Sequence, residues 1–528
     1  MAENKKRIIF GILFIILILF SLNAVMATNI GSSDLNCKDN YSIEEKTDNI
    51  HLINSNQELI KTDEKTILKE SESASNSSQT NTTNTTNNSS QTNTTNSDQT
   101  KAKAKTTIKT SNLTAAYKSK SFTAQILDSN GSPISNLTIL FTIKNHTYEK
   151  ITDSNGKASL AINLNPGNYS IITQFKGNEN YKSSKQTNSI TIKRKKLALD
   201  TGNLVKKYGN SDSFKVILKN NGNPVSGVKI ALTIGSHTYC KSTNSKGIVT
   251  LAINLKIGKY PIKSSIYKSS CYYSSTYSNN VTVKSQNPYN LTCLKWGSKG
   301  DITKNKALYK NLVKSSITSA IINTCKNGTP LIQFGNGSGK KVLILAGVHG
   351  HELSSQAACF KLINSIYNSK KKINGTVYII PVLCPKTSAA NIRYYNNVNL
   401  NSVADKSGTL SYKLVSYAQK LKVDALGDFH CTRPGGEPGK NIAMGTYKPQ
   451  AESAKLAKYI SKTTGYSYKI YNIAGEEYPG AVEDVCNIKG ITSVTCEVIT
   501  PHGTIKSGSI SKSYNMMKAL LKYYGIAI

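Results

Sequence analysis

Four landmarks recur in this chain at a single spacing. The run Leu160-Ala161-Ile162-Asn163-Leu164 returns as Leu251-Ala252-Ile253-Asn254-Leu255, and His146-Thr147-Tyr148 returns as His237-Thr238-Tyr239. Gly156 is matched by Gly247 and Tyr169 by Tyr260, so every landmark reappears 91 residues on. An offset that survives four landmarks without an insertion marks two copies of one folding unit. Within each copy, short segments such as Ile139-Leu140-Phe141-Thr142-Ile143 are separated by Asn-Gly and Pro-Gly steps. Strand-like segments with such turn punctuation predict an all-β sandwich for each copy, over residues 111–193 and 194–286.

The stretch S-N-G-K-A-S-L-A-I-N-L-N-P-G-N-Y, ending at Tyr169, resembles the Ig-like repeats of bacterial and archaeal surface proteins. His146 and His237 recur with their strands and read as repeat positions, not as ligands.

Upstream, Lys5, Lys6 and Arg7 precede an apolar run from Ile8 to Leu22, and Val25 and Ala27 fit the small-residue pattern of a cleavage site. Residues 1–27 read as a signal peptide, with an uncleaved membrane anchor as the alternative. Residues 28–110 are polar, and Ser71–Thr100 is nearly all Ser, Asn, Thr and Gln. With so few apolar side chains to bury, burial cannot offset the entropy of ordering, and a disordered tether is expected. Asn76, Asn81, Asn84, Asn88 and Asn93 each open an Asn-X-Ser/Thr sequon. A glycosylated stalk and a plain linker fit equally well.

The formal net charge of +37 raises nucleic-acid binding. Only Arg7, Arg194, Arg393 and Arg433 of the 67 Lys+Arg are arginine, and the lysines are spread along the chain. Base edges and phosphate forks favour Arg, so the balance reads as a solvated surface with no nucleic-acid partner. Attraction to an anionic wall or membrane surface stays open. The ten cysteines form no C-x-x-C pair or zinc knuckle. Cys240 and Cys271 share one predicted β-unit and could form a disulfide in an exported chain.

Residues 287–528 change character. Helical and strand-like patterns alternate: helix over 305–322, strand 329–334, helix 353–368, strand 376–382, helix 410–421 and strand 425–430. Helix 452–463, strand 467–473, strand 491–498 and helix 511–524 follow. This alternation predicts an α/β domain on a mostly parallel mixed sheet. Its most informative stretch is K-K-V-L-I-L-A-G-V-H-G-H-E, Lys340–Glu352. Val342 to Ala346 form an unbroken apolar run, as expected of a strand buried on both faces. It ends in a polar cluster where open α/β sheets place their chemistry. His349 and Glu352, three apart at the mouth of a helix, can share one zinc ion but need a third ligand.

Four of the seven histidines lie in this domain: His349, His351, His430 and His502. His430 ends the strand G-D-F-H, and with His349 and Glu352 it makes a two-His, one-Glu set with an open coordination position. Such zinc acidifies water and polarises a carbonyl. Asp428, two residues earlier on the same strand, faces the same way and either orients a ligand or makes a plain salt bridge. Glu497, at the end of S-V-T-C-E-V, is the candidate general base and then acid. His351 reads as a site wall, and His502 as either a pocket or a loop residue. Cys431 and Cys496 read as packing.

Gly347-Val348-His349-Gly350-His351-Glu352 resembles the zinc-ligand motif of the zinc carboxypeptidase superfamily, including its aspartoacylase/succinylglutamate desuccinylase branch. Asp428-Phe429-His430-Cys431-Thr432 is similar to the third-ligand segment, and Thr495-Cys496-Glu497 to the catalytic-glutamate segment. Val398-Asn399-Leu400-Asn401 resembles the G-V-D-L-N-R block, with Arg393 upstream where the family carries an Arg that polarises the scissile carbonyl. Ile470 to Gly475 looks like the mobile-tyrosine loop, which would bring Tyr471 to the substrate. The resemblance implies Zn2+ on His349, Glu352 and His430, Glu497 and Arg393 in catalysis, and Asn401 at the substrate. One departure stands out: after Asn401 the family has an Arg for the substrate carboxylate, and here stands Ser402. Arg433 is the candidate replacement.

The resulting expectation is an extracellular, cell-surface or wall-associated zinc hydrolase. It would cleave an amide in a cell-wall peptide, in the manner of a carboxypeptidase, and meet the membrane only through an uncleaved N-terminal segment. The alternatives are an N-acyl amino acid deacylase and an adhesin or binding module with an inactive hydrolase-like domain.

Overall fold

The computed structural model describes residues 41–46, 49–54 and 102–528. The signal peptide expected at 1–27 and the sequon-rich stretch 71–100 lie outside the described residues. Among the described residues no helix is long and apolar enough to cross a membrane.

The chain is strand-rich and multidomain. In the first β-unit, Leu113–Ala116, Ser184–Lys193, Gly167–Phe175, Thr138–Ile143 and His146–Ile151 form one sheet in that order. Thr107–Lys109, Ser121–Leu127 and Lys157–Ala161 form a second. In the next unit, Leu204–Lys207, Thr276–Lys284, Gly258–Ile266, Lys229–Ile234 and His237–Ser242 take the same five-strand order. The two sheets of a unit bury one core between them: Phe122 and Ile126 meet Phe141, Ile171 and Ile190 in the first. Phe214 and Leu251 meet Ile230, Ile262 and Val281 in the second.

Two sequence expectations are corrected here. The span 28–110, expected to be disordered, contains the strands Tyr41–Lys46 and Asn49–Asn54, and the strand Thr107–Lys109. Tyr41–Lys46 runs parallel to Ile248–Asn254 of the second unit, with Ile43 opposite Ile253. The reason is an open sheet edge, whose unpaired N–H and C=O groups accept any nearby extended segment. The Cys240–Cys271 disulfide is also absent. Cys240 is disulfide-bonded, but Cys271 is a free thiol. Cys240 is buried within the strand His237–Ser242. Cys271 instead faces the first unit, its Sγ 3.5 Å from Asn165 Oδ1.

The C-terminal domain holds an eight-stranded sheet. Its strands are β1 (Tyr289–Leu294), β2 (Thr329–Phe334), β3 (Lys341–Ala346), β4 (Thr376–Ile380), β5 (Ala425–Thr432), β6 (Ile442–Lys448), β7 (Ser467–Ile473) and β8 (Thr492–Ile499). The spatial order is β1-β2-β4-β3-β5-β8-β6-β7. The central run β4-β3-β5-β8 is parallel, whereas β1–β2, β2–β4 and β6–β8 are antiparallel, so the sheet is mixed. The principal helices are α1 (Ser316–Cys325), α2 (Leu353–Tyr367), α3 (Pro385–Ala390), α4 (Leu410–Leu421), α5 (Ala451–Thr464), α6 (Val482–Ile488) and α7 (Ser509–Tyr523).

The apolar run of β3 is explained by cover on both faces. Val342, Ile344 and Ala346 join the core under α1, α2, α5 and α7. Leu343 and Leu345 join the core under α4 and α6. The helix expected over 305–322 is interrupted: Lys306–Tyr309 makes one turn, and α1 starts anew at Ser316. Ser315 caps it, its hydroxyl accepting the Thr318 N–H at 3.2 Å, which satisfies an otherwise orphaned donor.

Candidate active site

The site opens where β3 stops. Gly347 turns the chain with φ +71°, a conformation costly for any side chain with a Cβ. Gly350 then lies so close to α3 that a Cβ would come within 2.2 Å of the Thr387 carbonyl carbon. This close approach fixes the loop that carries His349 and delivers Glu352 as the N-cap residue of α2.

Parallel pairing supplies the rest. On β5, Phe429 and Cys431 point into the core shared with α2 and α7, so Asp428 and His430 occupy the other face. On β8, Val494, Cys496 and Val498 enter the same core, leaving Thr495 and Glu497 beside them. The register pairs His430 with Glu497, so acid and imidazole are neighbours on adjacent strands.

His349 Nδ1 lies 2.7 Å from Glu352 Oε1, and His430 Nδ1 lies 2.8 Å from Glu352 Oε2. The Cys431 N–H also donates to Oε2 at 3.1 Å. One potential ligand atom from each of His349, Glu352 and His430 falls within 4.8 Å of the other two. Each of the three residues is no more than 3% exposed. The outer nitrogens are held as well: His349 Nε2 is 2.8 Å from Asn399 Oδ1. His430 Nε2 is 2.9 Å from Asp428 Oδ2, although off the line of a good hydrogen bond, so both Asp428 oxygens lack one.

This donor set fits zinc. The Asn399 carbonyl holds His349 Nε2, the Asp428 carboxylate lies beside His430 Nε2, and both Nδ1 atoms are turned to the Glu352 carboxylate, an arrangement of outer partners that orients ligating imidazoles. The electrostatics agree. Burial alone would raise the Glu352 carboxyl, but His349 and His430 hold it well below its ordinary value. Burial would lower His430, but Asp428 and Glu352 lift it well above its ordinary value. A buried carboxylate thus gathers positive charge in the place a cation would fill.

A cavity of about 670 Å³ adjoins the trio and is lined by Arg393, Asn401, Arg433, Tyr471 and Glu497 among others. Glu497 is half-buried, and burial pushes its carboxyl up to about 8, with His430 opposing that shift and Glu352 adding to it. Its Oε2 has no hydrogen-bond partner among the described residues. Arg393 Nη1 stands 3.3 Å from His349 Nδ1 and 3.5 Å from Glu352 Oε1. Asn401 commits its Oδ1 to the Val482 N–H at 3.0 Å. Tyr471 is half-buried, edge-on to Tyr478 with ring centroids 5.6 Å apart. Arg433 is exposed at the cavity wall.

All the singled-out site residues therefore reach one cavity. His351 and His502 also line it and stack at 4.3 Å. Burial lowers His351 to about 4. Sequence reasoning missed two contributors. Asn399 orients His349, and its place two residues before Asn401 in the same block was the available signal. Glu483 lines the cavity from α6, a helix whose first six residues are buried regardless of polarity, so no amphipathic pattern exposed it.

The chain is similar to the solved succinylglutamate desuccinylase/aspartoacylase from Rhodobacter sphaeroides, at 18% identity over 38% of this chain and 60% of that one, with a TM-score of 0.30. A succinylglutamate desuccinylase from Silicibacter sp. gives 19% identity, 38% and 63% coverage and a TM-score of 0.32. The product-bound ectoine utilization protein EutE from Ruegeria pomeroyi gives 22%, 38%, 63% and 0.32. The chain spans less than two thirds of the length of each of these proteins. A search of curated proteins finds no match. Residues 338–521 match the model of the succinylglutamate desuccinylase/aspartoacylase catalytic domain.

Proposed function

We propose that the C-terminal domain is a zinc-dependent hydrolase of an amide bond whose leaving part is an amino acid, carried by either an N-acyl amino acid or a peptide. The observation that carries this reading is the buried convergence of His349, Glu352 and His430 beside Glu497 on the neighbouring strand. Zinc in such a donor set supplies Lewis acidity toward a carbonyl and a water.

The chain's own residues do the rest. Glu497 takes a proton from the attacking water and returns it to the leaving nitrogen as the C–N bond breaks. Arg393 donates to the carbonyl oxygen as negative charge develops there. Asn399 and Asp428 keep the two imidazoles turned inward. Asn401, through its amide NH2, and Arg433, through its guanidinium, receive the substrate carboxylate, with Tyr471 against the adjoining part of the substrate.

The surface location belongs to the same proposal. Its support is the Lys5–Leu22 pattern and two β-units read as Ig-like spacers, which favour a cell-wall peptide over a soluble metabolite. Metal analysis combined with hydrolysis of a panel of N-acyl amino acids and wall-type peptides tests the reading. The expected result is about one zinc per chain and turnover that Glu497→Gln abolishes. Zinc bound without hydrolysis of any amide would favour the binding-module alternative instead.

A further inference from the structure

Two sheet edges of this molecule carry the same sequence and differ in what lies against them. Leu160-Ala161-Ile162-Asn163-Leu164 and Leu251-Ala252-Ile253-Asn254-Leu255 are identical. Each begins in the last strand of a row of like order. The row is Thr107–Lys109, Ser121–Leu127, Lys157–Ala161 in the first unit and Ala198–Thr201, Ser213–Asn220, Ile248–Asn254 in the second. The register agrees, since Phe122 pairs with Leu160 and Phe214 with Leu251. Leu160 and Ile162 enter the first core as Leu251 and Ile253 enter the second. Beyond the row the units part. In the second, Tyr41–Lys46 lies parallel to the edge, with Ile43 opposite Ile253 and Glu44 opposite Asn254. That edge strand is seven residues long and reaches Asn254, whereas the first unit's strand stops at Ala161 after five. Ile162 and Asn163, the counterparts of the paired residues, stand past its end. Among the described residues no strand pairs with the outer side of Lys157–Ala161. The strand before it, His146–Ile151, is exposed throughout. Tyr148 there is 43% exposed, against 1% for its counterpart Tyr239. This side of the first unit is bare, and the same side of the second is closed.

We propose that the first unit's edge, Lys157–Asn163, docks the Tyr41–Lys46 segment of a second copy of this chain. An open edge is a template for another extended segment, and main-chain hydrogen bonds supply the affinity of strand addition. The occupant is argued from the second unit, where the same pentapeptide holds that segment. Within one chain Tyr41–Lys46 is engaged on both sides, by Ile248–Asn254 and by Asn49–Asn54. The segment that fills the first unit therefore comes from another molecule. Moving it from one edge to an edge of identical sequence exchanges equivalent pairings, so concentration decides the outcome. The contact joins the N-terminal segment of one copy to the first unit of the next. It is heterologous, and copies can add in a row. The edges differ in one donor: Lys206 Nζ reaches Ile253 O at 2.7 Å, and Ala115 stands 91 residues earlier, so no lysine from that position takes the Ile162 carbonyl. Asn165, with Cys271 Sγ 3.5 Å from its Oδ1, bounds the edge at the second unit.

Sedimentation velocity on the full chain over about a hundredfold range of concentration tests the docking. Association that grows with concentration is expected. Asn163 is exposed and lies past the strand end, so Asn163→Pro should spare the fold. By removing an edge N–H it should weaken association about tenfold or more, the loss of one or two backbone hydrogen bonds. Asn254→Pro loosens the segment from its own unit and should strengthen association. An added peptide with the sequence of residues 39–55 should compete for the edge and dissolve the assembly. A chain that stays monomeric throughout, or association that Asn163→Pro leaves unchanged, overturns the inference. Association lost in Asn254→Pro but kept in Asn163→Pro would mean exchange between second units alone, and overturns it as well. The peptide arm needs no variant to fold: association that saturating peptide leaves intact overturns the inference too.

Discussion

The two sides of the C-terminal cavity are built differently. On the side of the proposed metal site, His349, Glu352 and His430 come from the loop after a strand, a helix cap and a neighbouring strand, and each is buried, with both histidine Nδ1 atoms turned to the Glu352 carboxylate. On the proposed substrate side, Arg433 and Tyr478 are exposed, and Asn401 spends its carbonyl on the backbone of Val482. The metal side is fixed by the sheet, because moving any member would break strand pairing or leave a buried charge without its partner. The substrate side is made largely of loops, which accept substitutions without cost to the core and so are free to set specificity.

Substitutions on the two sides should therefore fail in different ways. The largest effect is expected from His430→Ala. It strands the Glu352 carboxylate and removes a ligand, so bound zinc and hydrolysis should both vanish, and the folded state should lose about 3–5 kcal/mol. Zinc retained at full stoichiometry would show that the convergence is not a metal site.

Glu497→Gln should come next, with kcat down about 10²- to 10⁴-fold and zinc content unchanged. The same variant carries a pH signature in the metal-free protein. Burial raises the Glu497 carboxyl from 4.5 to about 8, so the folded chain binds this proton more tightly than the unfolded chain. That contribution to stability is present below 4.5 and is lost as the pH rises through about 8. Gln cannot ionise, so thermal unfolding should find the variant gaining on the unaltered protein between pH 5 and pH 8. A constant difference across that range would contradict the raised carboxyl of this acid.

Asp428→Asn should cost about ten- to a hundredfold in zinc affinity with the fold intact, as measured by competition with a chelator. Arg433→Ala, on the opposite side, should raise KM for carboxylate-bearing substrates about tenfold and leave zinc content and unfolding temperature alone. If Arg433→Ala instead released zinc, the division between the two sides would collapse. If it left KM unchanged, the substrate carboxylate would have to be held by some other group.

Legibility followed the physics of each element. The strand β3 was readable because burial on both faces writes an unbroken apolar run. The strand β6, Ile442–Lys448, was missed: its first five residues are buried and its last two exposed, so neither face alternates. Helix α6 was missed for a related reason, since Glu483, Asp484 and Asn487 are as buried as Val482 and Val485. The 91-residue offset announced two β-units of like strand order, but not that Tyr41–Lys46 would extend the second one, because edge pairing is through backbone and leaves little pattern in side chains.

For the site itself, the sequence by itself determined the residue types and their order: two histidines and a glutamate at strand and helix ends, an acid closing a later strand, and a serine after Asn401. Those depend on local pattern and on motifs that survive in a single chain. Only the tertiary structure decided that Glu497 neighbours His430, that Asn399 holds His349, and that Glu483 stands at the wall reached through Asn401. Such pairings join residues 50 to 82 positions apart along the chain, and sheet register and helix packing, not sequence proximity, bring them together.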